Sequence, residues 1–186
     1  DAIATEMIRK KLTFLYVRGG VAAAVLIKKT WGMTCSRCYN HERMIATDPD
    51  CPDCFGTGYT GGYLRPVYLP ALMNPPQKAI VAGGIPYEAG QSYMELANTP
   101  KIHPDSDVIV DVRNNIRYKA KLVTQFTHRM AVVSQIAQLI RVDENDVVYS
   151  IKVEQPPAAP EGRGWDLVTR DSPHALLRAA RQDLSA

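Results

Sequence analysis

Long hydrophobic runs are missing from this chain. The longest, Val21 to Ile27, is closed by Lys28 and Lys29 and falls well short of the roughly 20 apolar residues a membrane helix needs. No membrane partner is expected. Extended blocks of one charge are missing too: the longest is Arg9-Lys10-Lys11, and 22 Lys+Arg against 19 Asp+Glu leave a net charge of +3. That balance gives weak support for DNA binding, which calls for a clustered basic surface making several phosphate contacts. The opening DAIATEMIRKKL puts its positive charges after a polar segment and has no cleavage-site logic, so it does not read as a secretion signal. A start at Asp1 leaves a processed or trimmed terminus open. What is present is ordinary: 186 residues, 46% hydrophobic and 22% charged, enough for one core with an appended small module. Four Cys, 12 Gly and 13 Pro are the least average entries.

From Ala2 to about Tyr16, the apolar residues Ile3, Met7 or Ile8, Leu12 and Leu15 recur at helical intervals around Arg9, Lys10 and Lys11, which predicts an amphipathic helix. Arg18-Gly19-Gly20 ends it. Val21 to Lys29 reads as a strand, with a helix continued through the alanines as the alternative. Segment 34–65 changes character. It holds every cysteine and many Gly, Pro, Asp and Asn residues, and without a metal it has too little core to fold. Prolines 66, 70, 75 and 76 follow. Beyond them KAIVAGG, DVIVDVR, YKAKLVTQF, MAVVSQIAQLI and DVVYSIKVE are candidate strands, with Asn114-Asn115 as a hairpin turn. Met130 to Ile140 could also serve a helix. After the loop 155–164, Trp165 to Val168 is a candidate strand, and Ser172-Pro173 opens a short helix through Arg178.

The fold class expected is therefore mainly β, a small antiparallel barrel or sandwich with N-terminal and C-terminal helices and an inserted four-cysteine knuckle. Its divisions are 1–33 helix and strand, 34–65 knuckle, 66–154 barrel-like domain, and 155–186 loop and helix arm.

The cysteines carry the sharpest chemistry. Cys35-Ser-Arg-Cys38 and Cys51-Pro-Asp-Cys54 are two CxxC pairs separated by twelve residues, a spacing that can wrap four thiolates around one tetrahedral ion. A structural Zn2+ site is the leading reading. It would also remove two of the three net positive charges. Four sulfurs serve an iron–sulfur centre equally well by spacing. Two disulfides would need an oxidising compartment, and a redox-active pair usually stands at a helix N-terminus. A closed four-sulfur site keeps no open coordination position, so it organises chain rather than activating water. His41, between the pairs, is a surface residue or second hydrogen-bond layer more readily than a substitute ligand.

Other constellations are thin. Phe55-Gly-Thr-Gly-Tyr-Thr-Gly-Gly-Tyr63 lacks the Lys-Ser/Thr of a phosphate loop; its glycines suit a tight exit with backbone N–H groups turned toward the sulfurs. Tyr39, Tyr59, Tyr63 and Tyr68 with Arg37, Arg43 and Arg65 could stack and neutralise single-stranded nucleic acid, or cover a core-poor knuckle or protein interface. His103, His128 and His174 are isolated. Asp105, Asp107 and Asp111, like Asp143, Glu144 and Asp146, read as solvated carboxylates. No enzyme is expected.

With these residues in view, the chain resembles the neck proteins of tailed bacteriophages, the head-completion or head-to-tail connector adaptors. The likeness covers roughly two thirds of the chain. It rests on the N-terminal helix leading to Val21 through Lys29, on Cys35 through Tyr63, and on Val108-Ile-Val-Asp111, Asn115-Ile-Arg-Tyr118-Lys-Ala-Lys and Asp146-Val-Val-Tyr149-Ser-Ile. The form CxxCxGxG at Cys51 to Gly58 is shared with chaperone zinc modules, but Cys38 is followed by Tyr-Asn-His, which departs from them. The resemblance implies a virion protein assembled in the host cytoplasm. It would form a homo-oligomeric ring between portal and tail or other neck proteins, with DNA passing non-specifically through the lumen. The alternative is a zinc-ribbon nucleic-acid-binding module attached to a β-barrel.

Overall fold

The computed structural model describes residues 2–19, 21–74 and 92–154, all within one compact unit, Asp1–Gln155. An N-terminal helix α1 (Ala2–Gly19) precedes β1 (Val21–Leu26), the two-residue strands β2 (Tyr39–Asn40) and β3 (Ile45–Ala46), and then β4 (Val67–Met73), β5 (Ser92–Ala97), β6 (Val108–Asp111), β7 (Ile116–His128) and β8 (Ala131–Arg141). A single 3-10 turn, Val147–Ser150, follows.

Six of the strands close an antiparallel barrel in the order β1-β4-β5-β8-β7-β6. A barrel of so few strands has a narrow interior. Small residues meet that constraint: Ala23, Ala71, Ala120 and Ala137 pack among Leu69, Met94, Leu96, Ile109 and Leu139 in one buried cluster. The outer faces of β1 and β6, carrying Ala24, Leu26, Val108 and Val110, are covered by Val148 of the 3-10 turn together with Tyr63, Tyr68, Ile151 and Val153. Strands buried on both faces read as continuous apolar runs, and Val108 to Val110 does so.

Helix α1 turns Ala4, Ile8, Leu12 and Leu15 inward at helical spacing and lies against β4, β5 and β8. A bidentate Glu6–Arg9 pair supports its outer surface, a small contribution for exposed charges. Lys11 sits on the buried side, where its Nζ meets Glu95 of β5 at 2.6 Å.

Strand β1 pairs with β4, so the whole cysteine segment is inserted into one barrel hairpin. That hairpin runs on beyond the barrel as a stalk. The Leu64 N–H donates to the Ile27 carbonyl at 2.9 Å and the Lys29 N–H to the Gly62 carbonyl at 3.0 Å, with Lys28 and Tyr63 bridged between them.

Several sequence expectations change. Residues 131–141 are strand β8, not helix. The segment DVVYSIKVE is not a strand: the Asp146 carboxylate accepts the Val148 N–H at 2.9 Å and starts the 3-10 turn, with Val148 buried. Capping by an acid overrides the β-branched composition there. Strand β4 lies within the proline-rich stretch, and its Pro70 stands opposite Val21 at a register irregularity, a position where a missing N–H is tolerated. Strand β5 was not foreseen. KAIVAGG, the strand at 165–168 and the C-terminal helix at 172–178 lie outside the described residues.

Candidate metal centre

The two CxxC turns of the knuckle share a hydrogen-bond pattern, although the first is followed by the β2–β3 pair and the second is not. In each, the carbonyl of the first cysteine accepts an N–H four residues on: Tyr39 to Cys35 at 3.1 Å and Phe55 to Cys51 at 2.7 Å. In each, the carbonyl of the second cysteine takes both the N–H and the hydroxyl of a threonine, Thr47 on Cys38 and Thr57 on Cys54. The Cys35 N–H then donates to the Gly58 carbonyl at 2.9 Å, tying the halves together.

This arrangement brings all four sulfurs within 4.8 Å of one another, and all four cysteines are buried. They are free thiols. The contacts run between halves, Cys35 to Cys51 at 3.8 Å and Cys38 to Cys54 at 3.2 Å. A tetrahedral ion with metal–sulfur bonds of about 2.3 Å needs sulfur–sulfur edges of about 3.8 Å. The first contact equals that edge and the second must open slightly, so the donor set fits one soft or borderline cation.

The electrostatics favour such an ion. Burial pushes the Cys38 thiol up, reinforced by its contacts with the Cys54, Cys51 and Cys35 sulfurs. Burial likewise raises Cys54, although its contact with Cys38 and the Gly58 N–H act in the opposite direction. Cys51 behaves differently. Burial opposes its ionisation, but the N–H groups of Asp53 and Cys54, with the Cys38 and Cys54 sulfurs, bring it down to about 7. Four thiolates can share this volume only around a positive charge, which relieves both desolvation and mutual repulsion.

Glycine permits the fold at two points. Gly62 has φ +61, and a Cβ there would lie 2.6 Å from the Cys54 carbonyl oxygen. At Gly58, φ +85, a Cβ would meet the Tyr39 ring at 3.1 Å. The expectation that N–H groups after the second CxxC turn toward sulfur holds at Gly58, which serves Cys54.

The other expected residues disperse. His41 is exposed and stacks edge-on to Tyr39 at 5.0 Å. Tyr39 packs on the cysteine cluster and lies 6.0 Å from the Tyr59 ring. Tyr63 instead contacts Phe55 at 6.5 Å and the outer barrel cluster, while the Tyr68 hydroxyl donates to the Glu154 carbonyl. The four tyrosines therefore do not form one face. Arg37, Arg43 and Arg65 are exposed.

Two carboxylates expected to be solvated are buried. Asp107 accepts the N–H groups of Lys28 and His103 at 3.0 and 2.8 Å. Asp111 accepts the Arg113 N–H and the Asn114 side-chain amide and shapes the β6–β7 turn. Backbone donors replace their water. Asp105, Asp143 and Glu144 are exposed, the last paired with Arg141. His103 is exposed and His128 half-buried, and neither joins a carboxylate cluster among the described residues. His174 lies outside them.

Sequence reasoning missed a group of large apolar side chains that this module leaves in solvent: Trp31, 65% exposed, with Met33, Met44 and Ile45. Trp31-Gly-Met33 directly before the first CxxC was the available signal. Comparison with protein-family models, curated proteins and solved structures finds no match to this chain.

Proposed function

We propose that the chain is a non-catalytic binding module in which a structural Zn2+ fixes a ribbon at the tip of a barrel hairpin, and that the ribbon engages nucleic acid. The observation that carries the proposal is the buried four-sulfur cluster on a stalk continuous with β1 and β4. When bound, zinc supplies cohesion to a segment with almost no other core, and Cys35, Cys38, Cys51 and Cys54 would hold it. A four-thiolate shell is closed to water and substrate. Catalysis at the metal is therefore not part of the proposal.

Support for a nucleic-acid partner comes from the segregation of charge along the ribbon. Arg37, His41 and Arg43 are exposed in the first half beside a single acid, Glu42, whereas Asp48, Asp50 and Asp53 occupy the second. Exposed Trp31 offers a stacking platform next to Lys28 and Lys29. The test is titration of the zinc-loaded chain with a labelled single-stranded oligonucleotide at several salt concentrations. Binding that weakens with salt, and weakens further in Arg37→Ala/Arg43→Ala, supports the reading. No binding at low salt contradicts it.

A second reading, the ring-forming neck protein between portal and tail with DNA passing through the lumen, is favoured by α1. Ile3, Met7, Phe14 and Val17 recur along its outer side and are exposed, a pattern that a neighbouring subunit would cover. Native mass spectrometry tests it: a closed oligomer lost in Met7→Ser/Phe14→Ser supports a ring, and a monomer at micromolar concentration contradicts it.

A further inference from the structure

We propose that the four-sulfur cluster is also an oxidation site, at which a hydroperoxide converts the metal-holding thiolates into two disulfides, Cys35–Cys51 and Cys38–Cys54. These linkages join the two halves of the ribbon in place of the metal. The proposal rests on the zinc reading above and extends it to the regulation of the same site.

Four cysteines allow three pairings. The structure favours one of them: all four sulfurs lie within 4.8 Å of one another, and the two pairs within hydrogen-bond reach belong to opposite halves, Cys38 to Cys54 at 3.2 Å and Cys35 to Cys51 at 3.8 Å. A disulfide of about 2.05 Å is reached from these positions by short side-chain movements. The two linkages are equivalent in position: first cysteine to first, second to second. Each spans the same sixteen residues of sequence. Pairing within a CxxC would instead leave the halves without a covalent link once the metal has gone.

With all four sulfurs held as thiolates by the metal, the order of events follows exposure. Cys38, at 5%, is the most exposed of the four, and it lies in contact with a partner thiol. Its thiolate attacks the outer peroxide oxygen, the O–O bond breaks, and the leaving oxygen departs with a proton as alcohol or water. The sulfenic acid formed on Cys38 is then attacked by the Cys54 thiolate, forming the S–S bond and expelling hydroxide, which is protonated to water. Two electrons have passed from the sulfur pair to the peroxide. A second hydroperoxide repeats the sequence at Cys35 and Cys51. The sulfurs lose their anionic charge on pairing, and the metal leaves as the free dication. The consequence is a ribbon that stays closed in two covalent states, one dependent on metal and the other not.

The experiment uses the full chain. Its zinc content is measured first; hydrogen peroxide is then added in measured equivalents, release is followed with a chromogenic chelator, and linkages are mapped by peptide mass spectrometry without reduction. The expected result is one zinc released for two peroxides, with Cys35–Cys51 and Cys38–Cys54 as the recovered linkages. In Cys38→Ser the expected map holds Cys35–Cys51 alone, with Cys54 open to alkylation. Linkages within the CxxC pairs, progression to sulfinic acid, or retention of zinc and four reduced thiols under excess peroxide overturn the proposal. A chain purified without zinc sinks the metal reading instead, and its linkage map still decides the pairing, so the two failures are distinguishable.

Discussion

Lys11 Nζ stands 2.6 Å from Glu95 Oε1, and the Glu95 side chain is only 1% exposed. The same oxygen accepts the Ser134 hydroxyl at 3.2 Å, while Oε2 has no hydrogen-bond partner among the described residues. The pair pins α1 to β5 through charge that has been taken out of water. Removing one partner leaves the other stranded, which costs about 3–5 kcal/mol for a fully buried pair. Lys11 is about one-quarter exposed, so Lys11→Met is expected to lower the unfolding free energy by about 2 kcal/mol, somewhat less than that range. Urea denaturation measures it. Lys11→Met/Glu95→Met should recover much of the loss, and a double variant as unstable as the sum of both singles would contradict this account.

Gln135 is the second buried polar clamp. Its Nε2 donates to the carbonyls of Ala97 and Pro100 at 2.9 and 2.7 Å, and its Oε1 accepts the Ile102 N–H at 3.1 Å. Gln135→Leu keeps the volume and strands three backbone groups, at about 1–3 kcal/mol for each that finds no water. The expected outcome is a fall in stability of about 3 kcal/mol with local loss of amide protection over 98–103. Unchanged protection at Ile102 would contradict it.

Gly62→Ala tests how the ribbon closes. The added Cβ meets the Cys54 carbonyl oxygen at 2.6 Å in a backbone of positive φ, a strain of about 1–3 kcal/mol before the clash. Zinc affinity, read by competition with a chromogenic chelator, should fall at least about tenfold. Thermal unfolding of the barrel should move little. Wild-type affinity in this variant would mean that the Cys54 turn relaxes freely.

Tyr63 links the stalk to the barrel and gives a pH signature. Burial, then the charges of Asp146 and Asp107, push its hydroxyl up to about 12. Below the ordinary tyrosine value of about 10 the hydroxyl is protonated whether the chain is folded or not. Between there and 12 only the unfolded chain ionises it, so the stability it contributes declines across that window as pH rises. A phenolate absorbance titration should lose a late-ionising component in Tyr63→Phe. An unaltered curve in that variant would contradict the assignment.

What the sequence made legible is what local pattern can carry. The apolar spacing of α1, the strand patterns of β6 and β7, and the two CxxC pairs were each visible because neighbours in sequence suffice to define them, while β1 and β8 read as strands with a helix as the alternative. Strand β4 was hidden by Pro70, which only its place opposite Val21 makes tolerable. Strand β5 was hidden by Glu95, a residue that enters a buried strand only because Lys11, distant in sequence, meets it. The same holds for Asp107, whose donor Lys28 is distant in sequence, while His103 lies four residues away in the same loop. DVVYSIKVE misled in the opposite direction, since Val148 covers the barrel from a 3-10 turn and Ile151 and Val153 do so from the chain beyond it. The metal ligands were legible, and the exposed side chains around them were not, because exposure is decided by the rest of the fold.

The barrel and the ribbon have separate cores, the alanine-lined interior and the cysteine cluster. Chelation should therefore open amides across 34–62 to hydrogen exchange while β1 and β4 through β8 keep their protection. Collapse of barrel protection on chelation would show instead that the two cores unfold as one.

The central claim is that the four cysteines hold one structural zinc ion, and native mass spectrometry of the purified full chain combined with elemental analysis tests it most directly. The account predicts one zinc per chain, four thiols that resist alkylation until a chelator is added, and no iron. A metal-free chain with four freely alkylated cysteines, or an iron-containing one, would contradict it.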